Sequence, residues 1–542
     1  MAKRLQLISG DTEYREIKRM AGSRQMSIAE WARQVLGLAC QREPRIDAEK
    51  KLQAIRQAVR YDFPSGDIEG MLVEVESYYG SSEDFGSHRD SSRRSGMTVK
   101  ARASHVVATV LFVLFQAGGA GRVAAQQAAG GGAASVDMTV VKPETVGFSS
   151  ERLERLHALM QQVVDAKQLP GAVTLLARHG KVVDYRTYGM RDAASGAPMT
   201  KDTIFRAFSM TKPVTGVAMM LLYEQGKWLP SDPIAKFIPE FAHLKVCKGV
   251  DAAGNMILEE PVHAPTMQEL MTHTAGFVYG FFGNTPVDKE YQRLGVMQSK
   301  TLREFIEKLA KIPLAYQPGT KWVYSSSMDI QGYIIEKLSG QALPDFMQEH
   351  IFKPLGMKDS GFFVPAEKRG RFATIYRSNE KGEVVPAPGF GGDYAEQPGM
   401  PSGGGGSVTT AEDYFRFAEM LANGGELNGV RIISPASVQL MSTNHLAANL
   451  LTGEFGIGAQ VMRPGLGYGY DCAVEYDPAE ANLPDGRGTF FWDGAAGTWF
   501  WIDPTNDVVF IGMVQRVLGP DSPQVEYQSR PAVYQALVNL KK

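Results

Sequence analysis

Cysteine is scarce in this sequence. Three occur in 542 residues, Cys40, Cys247 and Cys472, at no spacing that suits a metal. Cys247 and Cys472 could pair in an oxidising compartment, but free thiols are expected. The nine histidines form no cluster with acids or cysteines, so no metal centre and no cofactor is implied. H-E-x-x-H is absent, which removes the zinc-hydrolase signature. G-x-S-x-G is absent too, which removes the nucleophile elbow. Charge of one sign is also missing. The formal net charge is -2, so the chain as a whole carries no attraction for nucleic acid or acidic lipid. The apolar run from Val106 to Phe115 is too short for a bilayer span. Four glycines at 403–406 precede no Lys-Ser/Thr pair, so they read as close backbone packing and not as a phosphate loop. What remains is an ordinary globular balance, 44% hydrophobic and 21% charged, able to fill a sizeable core.

The chain reads as three sections. In residues 1–80, "KRLQLIS" alternates, with Leu5 and Leu7 opposite Arg4 and Gln6, as a short strand does. Asp11 caps one helix, and Ser27 with Glu30 forms a capping box for a second. One strand and two helices bury little alone; pairing of strands in a dimer would solve that. The pattern resembles the ribbon-helix-helix DNA-binding family, which includes many antitoxins. That resemblance implies DNA as a partner, with Arg4, Gln6 and Ile8 facing base edges. The plainer alternative is a helical appendage.

Residues 81–145 form a polar linker followed by a signal-peptide-like stretch at 97–125. Lys100 and Arg102 give a positive start, the apolar run follows, and small residues precede Gln126. Its internal position is unusual, and Met97 stands just before it. The expectation is a periplasmic or secreted enzyme if translation starts at Met97, and a cytoplasmic one otherwise. A short buried or peripheral helix is the alternative.

The third section, 146–542, has an α+β pattern. Ser149 precedes Leu153, Leu156, Met160 and Val163 at helical spacing. Two β-rich runs flank His179-Gly180-Lys181 as a hairpin, and "DPTND" reads as a turn between two further strands. The closing "SRPAVYQALVNLKK" reads as a helix. Two helices thus bracket an antiparallel sheet, with a largely helical insertion between them.

Inside that section, "FSMTK" places Ser209 three residues before Lys212. S-x-x-K is expected roughly once or twice by chance in such a length, and it occurs twice. Ser378–Lys381 is polar on both sides and reads as a solvated hairpin tip. Ser209 instead precedes "PVTGVAMMLLYEQG", an apolar helix, so both side chains lie on one helical face. A serine needs a base to become a nucleophile. A desolvated lysine can be that base near neutral pH. On spacing alone, a helix cap remains the commoner explanation.

Five further segments follow in order: "LMTHTAGF", "PGTKWVYSSSMDIQGYIIEKLSG", "IFKPLGMKDSGF", "SGGGGSVTTAEDYFRFAEMLANGG" and "WDGAAGTWFWIDP". With "FRAFSMTKPVTGVAMMLLYEQGK" they closely resemble the serine β-lactamase superfamily, in its class C-like and family VIII carboxylesterase branch. The resemblance implies a β-lactamase/transpeptidase-like antiparallel sheet flanked by helices, plus a helical lobe. It implies Ser209 as acylated nucleophile, with Lys212 and Tyr324 as general base and acid. It implies an oxyanion hole made by the backbone N–H groups of Ser209 and Ala495, and substrate contacts from Ser326, Trp492 and Gly494. His273 is implied to be structural, and Asp493 reads as a turn or edge-strand acid. Two departures bear on the substrate. Trp492 replaces the lysine that would bind a lactam carboxylate, and Ser326 replaces the asparagine that would grip its amide. "GFVYGFFG" offers Phe277, Tyr279, Phe281 and Phe282 as an apolar wall. The expected function is hydrolysis of small carboxylic esters. The alternatives are a class C-like β-lactamase or D-amino-acid amidase or peptidase, a catalytically dead binder, and a DNA-binding regulator acting through residues 1–45. Oligomeric state is not legible.

Overall fold

"GAVTLLAR" and "VVFIGMV" carry almost no polar residue, and a strand with no polar face must be covered on both sides. The computed structural model describes residues 136–451 and 463–540, and there these two segments pair at the centre of an eight-stranded sheet. The Arg4 and Gln6 strand, the ribbon-helix-helix pattern and the 97–125 stretch lie outside the described residues. So does part of the 81–145 linker. The chain divides into two units, 1–120 and 121–542, and the second contains every described residue.

Helix α1 (Ser150–Asp165) opens the fold, capped by Ser149, whose side chain accepts from the Arg152 N–H. It buries Leu153, Leu156, Met160 and Val163, the stripe expected from their spacing. Strands β1 (Gly171–Arg178) and β2 (Lys181–Asp192) form the hairpin at His179 and Gly180, both left-handed at φ 54° and 69°. Two left-handed turn residues match the twist of paired strands. The short β3 (Ala197–Pro198) pairs with β2 at one edge.

The chain then leaves the sheet for a helical lobe. Helix α2 (Thr211–Glu224) is buried along most of its length and packs on α3 (Ser327–Ser339). Helix α4 (Ala411–Ala422) leads back to the sheet and lies against its central strands. Strands β4 (Leu466–Tyr468), β5 (Ala473–Glu475), β6 (Phe490–Asp493), β7 (Trp499–Asp503) and β8 (Val508–Val514) then run antiparallel, and β8 closes on β1. The spatial order is β4-β5-β6-β7-β8-β1-β2-β3. Helix α5 (Val525–Tyr534) packs on α1. The architecture is the expected α+β fold, an antiparallel sheet flanked by helices with a helical lobe between.

The last helix differs from its sequence expectation. It starts at Val525 and ends at Tyr534. Beyond it the chain runs beside the start of the domain, where Phe148 bridges Leu537 and the Val538 N–H donates to the Gly147 carbonyl. That pairing satisfies backbone groups that a longer helix would have used. Cys247 and Cys472 are both free thiols.

One glycine in the sheet is fixed by its neighbour. Gly512 of β8 sits opposite Trp499 of β7, and a β-carbon there would lie 2.2 Å from the indole ring. Gly512→Ala is therefore an overpacking change in a fully buried strand. It is expected to lower stability by about 1–3 kcal/mol, read as a lower urea midpoint with an unchanged slope.

Candidate active site

Ser209 lies in a single turn of 3-10 helix (Phe208–Met210) that feeds directly into α2. The residue before it, Phe208, holds φ at 47°, a left-handed conformation that costs a non-glycine residue energy. Lys212 follows one turn later on the buried face. Its Nζ is 3.1 Å from Ser209 Oγ and donates to the Gly404 carbonyl at 2.7 Å. Tyr324 arrives from the segment just before α3, and its hydroxyl donates to the same Ser209 Oγ at 2.7 Å. Three groups from two parts of the chain therefore meet on one oxygen. The second S-x-x-K has no such setting: Ser378 ends one strand of an exposed hairpin and bonds to Asp521.

Burial sets the protonation of this trio. Lys212 has no solvent exposure, and desolvation pulls its pKa down to about 7, against the pull of Asp329, Asp471 and Asp493. Burial pushes the Tyr324 phenol well above its ordinary value. Near neutral pH a substantial share of the amine is thus neutral, beside a protonated phenol. His273 is buried with its Nδ1 on Ser325, and burial drives its pKa well below the usual imidazole range. Its ring packs against Tyr324 with centroids 5.0 Å apart, so it supports the phenol as a neutral wedge.

The glycine run explains how the backbone reaches Lys212. The Gly403 carbonyl accepts from Thr215, and the Gly404 carbonyl accepts from Lys212. A β-carbon at Gly404 would come within 2.7 Å of the Tyr279 hydroxyl. Asp329 fixes the same loop, accepting from the Ser402 hydroxyl at 2.5 Å and the Gly404 N–H at 3.3 Å. Asp471 is bound by Gln331 Nε2 at 3.0 Å, and burial holds its carboxyl well above the carboxylate range. Asp329, Gln331 and Asp471 escaped the sequence reading. Each looked like an ordinary polar residue, and only burial beside Lys212 distinguishes them.

Ser209 and Tyr324 open onto a cavity of about 1340 Å³. Tyr279, Phe281, Phe282, Trp492 and Ala495 share its wall. The rings of Tyr279, Phe281, Phe282 and Tyr324 pack against one another, with Phe281 and Phe282 more than 40% exposed at the mouth. Trp492, at the end of β6, lies 5.6 Å from Tyr324 by ring centroids.

Three expected contacts fall elsewhere. Phe277 is buried in the core against Phe241 and forms no part of the cavity wall. Ser326 is fully buried, with its hydroxyl donating to the Val278 carbonyl, so it offers nothing to a substrate. Gly494 also stays off the wall. Its N–H donates to the Thr498 carbonyl, and a β-carbon there would meet the Ala207 carbonyl at 2.4 Å. Its part is to let the β6–β7 turn press against the strand end that leads to Ser209. Thr498 completes that clamp, donating from Oγ1 to the same Ala207 carbonyl.

Asp493 departs from its expectation in the other direction. It lines the cavity with Glu526. Burial raises Asp493 to about 6, with Lys212 opposing, and raises Glu526 to about 8, with Asp493 adding to the rise. A third acid, Asp393, also stands on the wall, and no lysine or arginine does among the described residues.

Comparison with known proteins agrees with this geometry. Protein Rv1367c of Mycobacterium tuberculosis (strain ATCC 25618 / H37Rv) is 37% identical over 367 residues, 67% of this chain and 90% of that protein. Esterase EstB of Burkholderia gladioli is 33% identical over 390 residues, 68% of this chain and 91% of that one. Among solved structures, EstCE1, described as a hydrolase with promiscuous acyltransferase activity, superposes with a TM-score of 0.58. It is 28% identical, and the match covers 71% of this chain and 99% of that one. The profile of the Beta-lactamase family matches residues 156–534, which span the sheet, the helical lobe and every group around Ser209, and the chain belongs to that family.

Proposed function

We propose that this chain is a serine hydrolase of carboxylesterase type, cleaving small neutral esters through an acyl-enzyme on Ser209. The observation that carries the reading is the convergence of Lys212 Nζ and the Tyr324 hydroxyl on Ser209 Oγ, at 3.1 and 2.7 Å, at a cavity whose wall holds no lysine or arginine among the described residues. Lys212, in its neutral form, takes the serine proton as Oγ attacks the ester carbonyl. The N–H groups of Ser209 and Ala495 receive the developing oxyanion. Tyr324 passes a proton to the departing alkoxide, the alcohol leaves, and water then attacks the acyl-serine by the reverse relay. Two likenesses support esters over lactams, those to Esterase EstB and to the hydrolase EstCE1. So does the wall chemistry. A lactam carboxylate would meet Asp493 and Asp393 with no lysine or arginine on the wall among the described residues, whereas a neutral ester meets aromatic rings.

The test is a substrate panel on the purified chain. p-Nitrophenyl acetate and butyrate are expected to turn over at least about a hundredfold faster, by kcat/KM, than a chromogenic cephalosporin or a D-alanyl dipeptide, since losing one charge-assisted contact already removes about 1.5–3 kcal/mol. Rapid cephalosporin turnover with negligible ester hydrolysis would reverse the assignment.

Asp493 gives a pH prediction. Lys212 works as a base only after it loses its proton, so kcat/KM rises through about pH 7. The groups facing its amine are Asp329, Asp471 and Asp493, which raise its pKa, together with the rings of Tyr324 and Tyr279. Asp493→Asn removes one raising charge, so the acid limb moves to lower pH, by about half to one unit. A pH–rate profile with a neutral ester reads it directly. An unmoved limb would exclude Asp493 from the field at Lys212.

A further inference from the structure

A second cavity, of about 600 Å³, adjoins the catalytic one, and Gly392, Asp393 and Tyr394 line both. Its chemistry is the opposite. Arg206 and Arg369 stand on its wall. Arg206 is only 9% exposed. Its Nη1 donates to the Ala373 carbonyl at 3.0 Å and lies 3.5 Å from the Gln515 side-chain oxygen, but its buried Nε has no acceptor among the described residues. No carboxylate lies within ion-pair range of it among the described residues. The guanidinium lies instead against an edge-to-face ring pair, 4.1 Å from the Phe372 centroid and 5.4 Å from that of Tyr394.

Other buried arginines of this protein are treated differently. Arg530 is paired with Glu475 and Asp485, and Arg516 with Asp521. Arg178 has no ion pair among the described residues, but it directs both Nε and Nη1 to backbone carbonyls. Arg206 alone among these four lacks both a counter-ion and a full set of acceptors. A buried cation left this way is costly unless something else supplies negative charge. Asp393 supplies part of it through space, favouring the charged guanidinium, but its Oδ1 accepts from the Ala395 N–H and it forms no ion pair with either arginine. Arg369, at the rim, donates to the Ala395 and Val364 carbonyls and likewise has no carboxylate partner among the described residues.

We propose that this cavity is an oxyanion-binding site, in which a carboxylate or phosphate group is held between the Arg206 and Arg369 guanidiniums against the Phe372 and Tyr394 rings. Guanidinium forks suit both groups, and charge-assisted bonds of this kind are the strong ones. Two sources have the same chemistry. One is a free small anion, such as the acid that ester hydrolysis releases. The other is an anionic tail on an ester seated in the adjoining catalytic cavity. The site stands apart from the reaction chemistry, so the binding test does not depend on esterase activity; only the step that separates the two sources rests on the proposed ester hydrolysis.

The test is calorimetric titration of acetate and of inorganic phosphate into the wild-type chain, at constant ionic strength set with a large inert salt. Saturable binding is expected for at least one of them, weakened about tenfold or more in Arg369→Gln. Arg206→Lys, which keeps the charge but not the fork, should weaken it as well and guards against a misfolded Arg206→Gln. No saturable heat, or heat that Arg369→Gln and Arg206→Lys leave unchanged, would overturn the proposal. A matched ester pair, ending in a carboxylate or a carboxamide at the acyl end, separates the sources. A tail-binding site raises KM for the carboxylate ester alone in Arg369→Gln. A free-anion site leaves the ratio of the two KM values as it is in wild type.

Discussion

Ser209→Ala is expected to reduce ester hydrolysis by about 10⁴–10⁶-fold in kcat, the range in which loss of a catalytic serine leaves only binding and oxyanion stabilisation. The reasoning is local. Ser209 Oγ is the one atom that both Lys212 and Tyr324 reach, at 3.1 and 2.7 Å. Neither can replace it: the amine is spent on the Gly404 carbonyl, and the phenol is held protonated by burial. KM should change little, because the cavity wall of Phe281, Phe282 and Trp492 is untouched. A fluorophosphonate probe should label the wild-type chain at Ser209 and leave the alanine variant unmodified. Stability should change little, since the Tyr324 hydroxyl opens onto the cavity, where water can take the place of the lost acceptor. A variant that folds, keeps more than a few per cent of the rate and still takes the probe would place the nucleophile elsewhere.

How far this site could be read from residues alone differs from group to group. Ser209 and Lys212 were marked as candidates by one helical turn and one apolar run, but spacing alone left a helix cap the commoner explanation, and the ordered motifs decided it. Tyr324 was not legible by spacing, since 115 residues separate it from Ser209; only the ordered motifs singled it out. The "GFVYGFFG" segment misled for a physical reason. Its glycines hold φ at 91° and 85°, at Gly276 and Gly280, so it follows neither a helical nor a strand period. Nothing in the sequence says that Phe277 turns inward while Tyr279 and Phe281 face the cavity. Ser326 is similar. It is one of three consecutive buried serines, each bonded differently, and its neighbour Ser325 anchors His273. The acids were the least visible. Asp329 and Asp471 come from segments far apart, and only the fold brings them around one amine.

In the sheet, legibility followed composition. The unbroken apolar character of β1 and β8 suits strands covered on both faces, and they pair inside the sheet. The end of the final helix was not marked. It is set by a tertiary pairing of Leu537 with Phe148, which no local propensity encodes.

Lys212→Met should separate catalysis from stability more sharply than any other change. Methionine keeps the length and most of the volume of the side chain but cannot take a proton. Loss of the base is expected to reduce kcat by about 10³-fold or more, and the acid limb near pH 7 should vanish with it. Stability should move the other way. Lys212 has a folded pKa of about 7 against 10.5 when free, so between those values the unfolded chain binds the extra proton. Folding stability therefore rises with pH from about 7 towards 10.5, and below 7 the desolvation penalty is fully present. Each unit of depression corresponds to about 1.4 kcal/mol. The methionine variant has no such group, so in urea titrations at pH 7 and pH 9 its midpoint should change less between the two than the wild-type midpoint does. At pH 7 it should equal or exceed wild type, provided the Gly404 carbonyl finds water in place of the amine. An inactive variant whose stability keeps the full wild-type pH slope would show that the amine is not the group whose proton the fold excludes. The assignment of Lys212 as the neutral base would then fail together with the pH argument built on it.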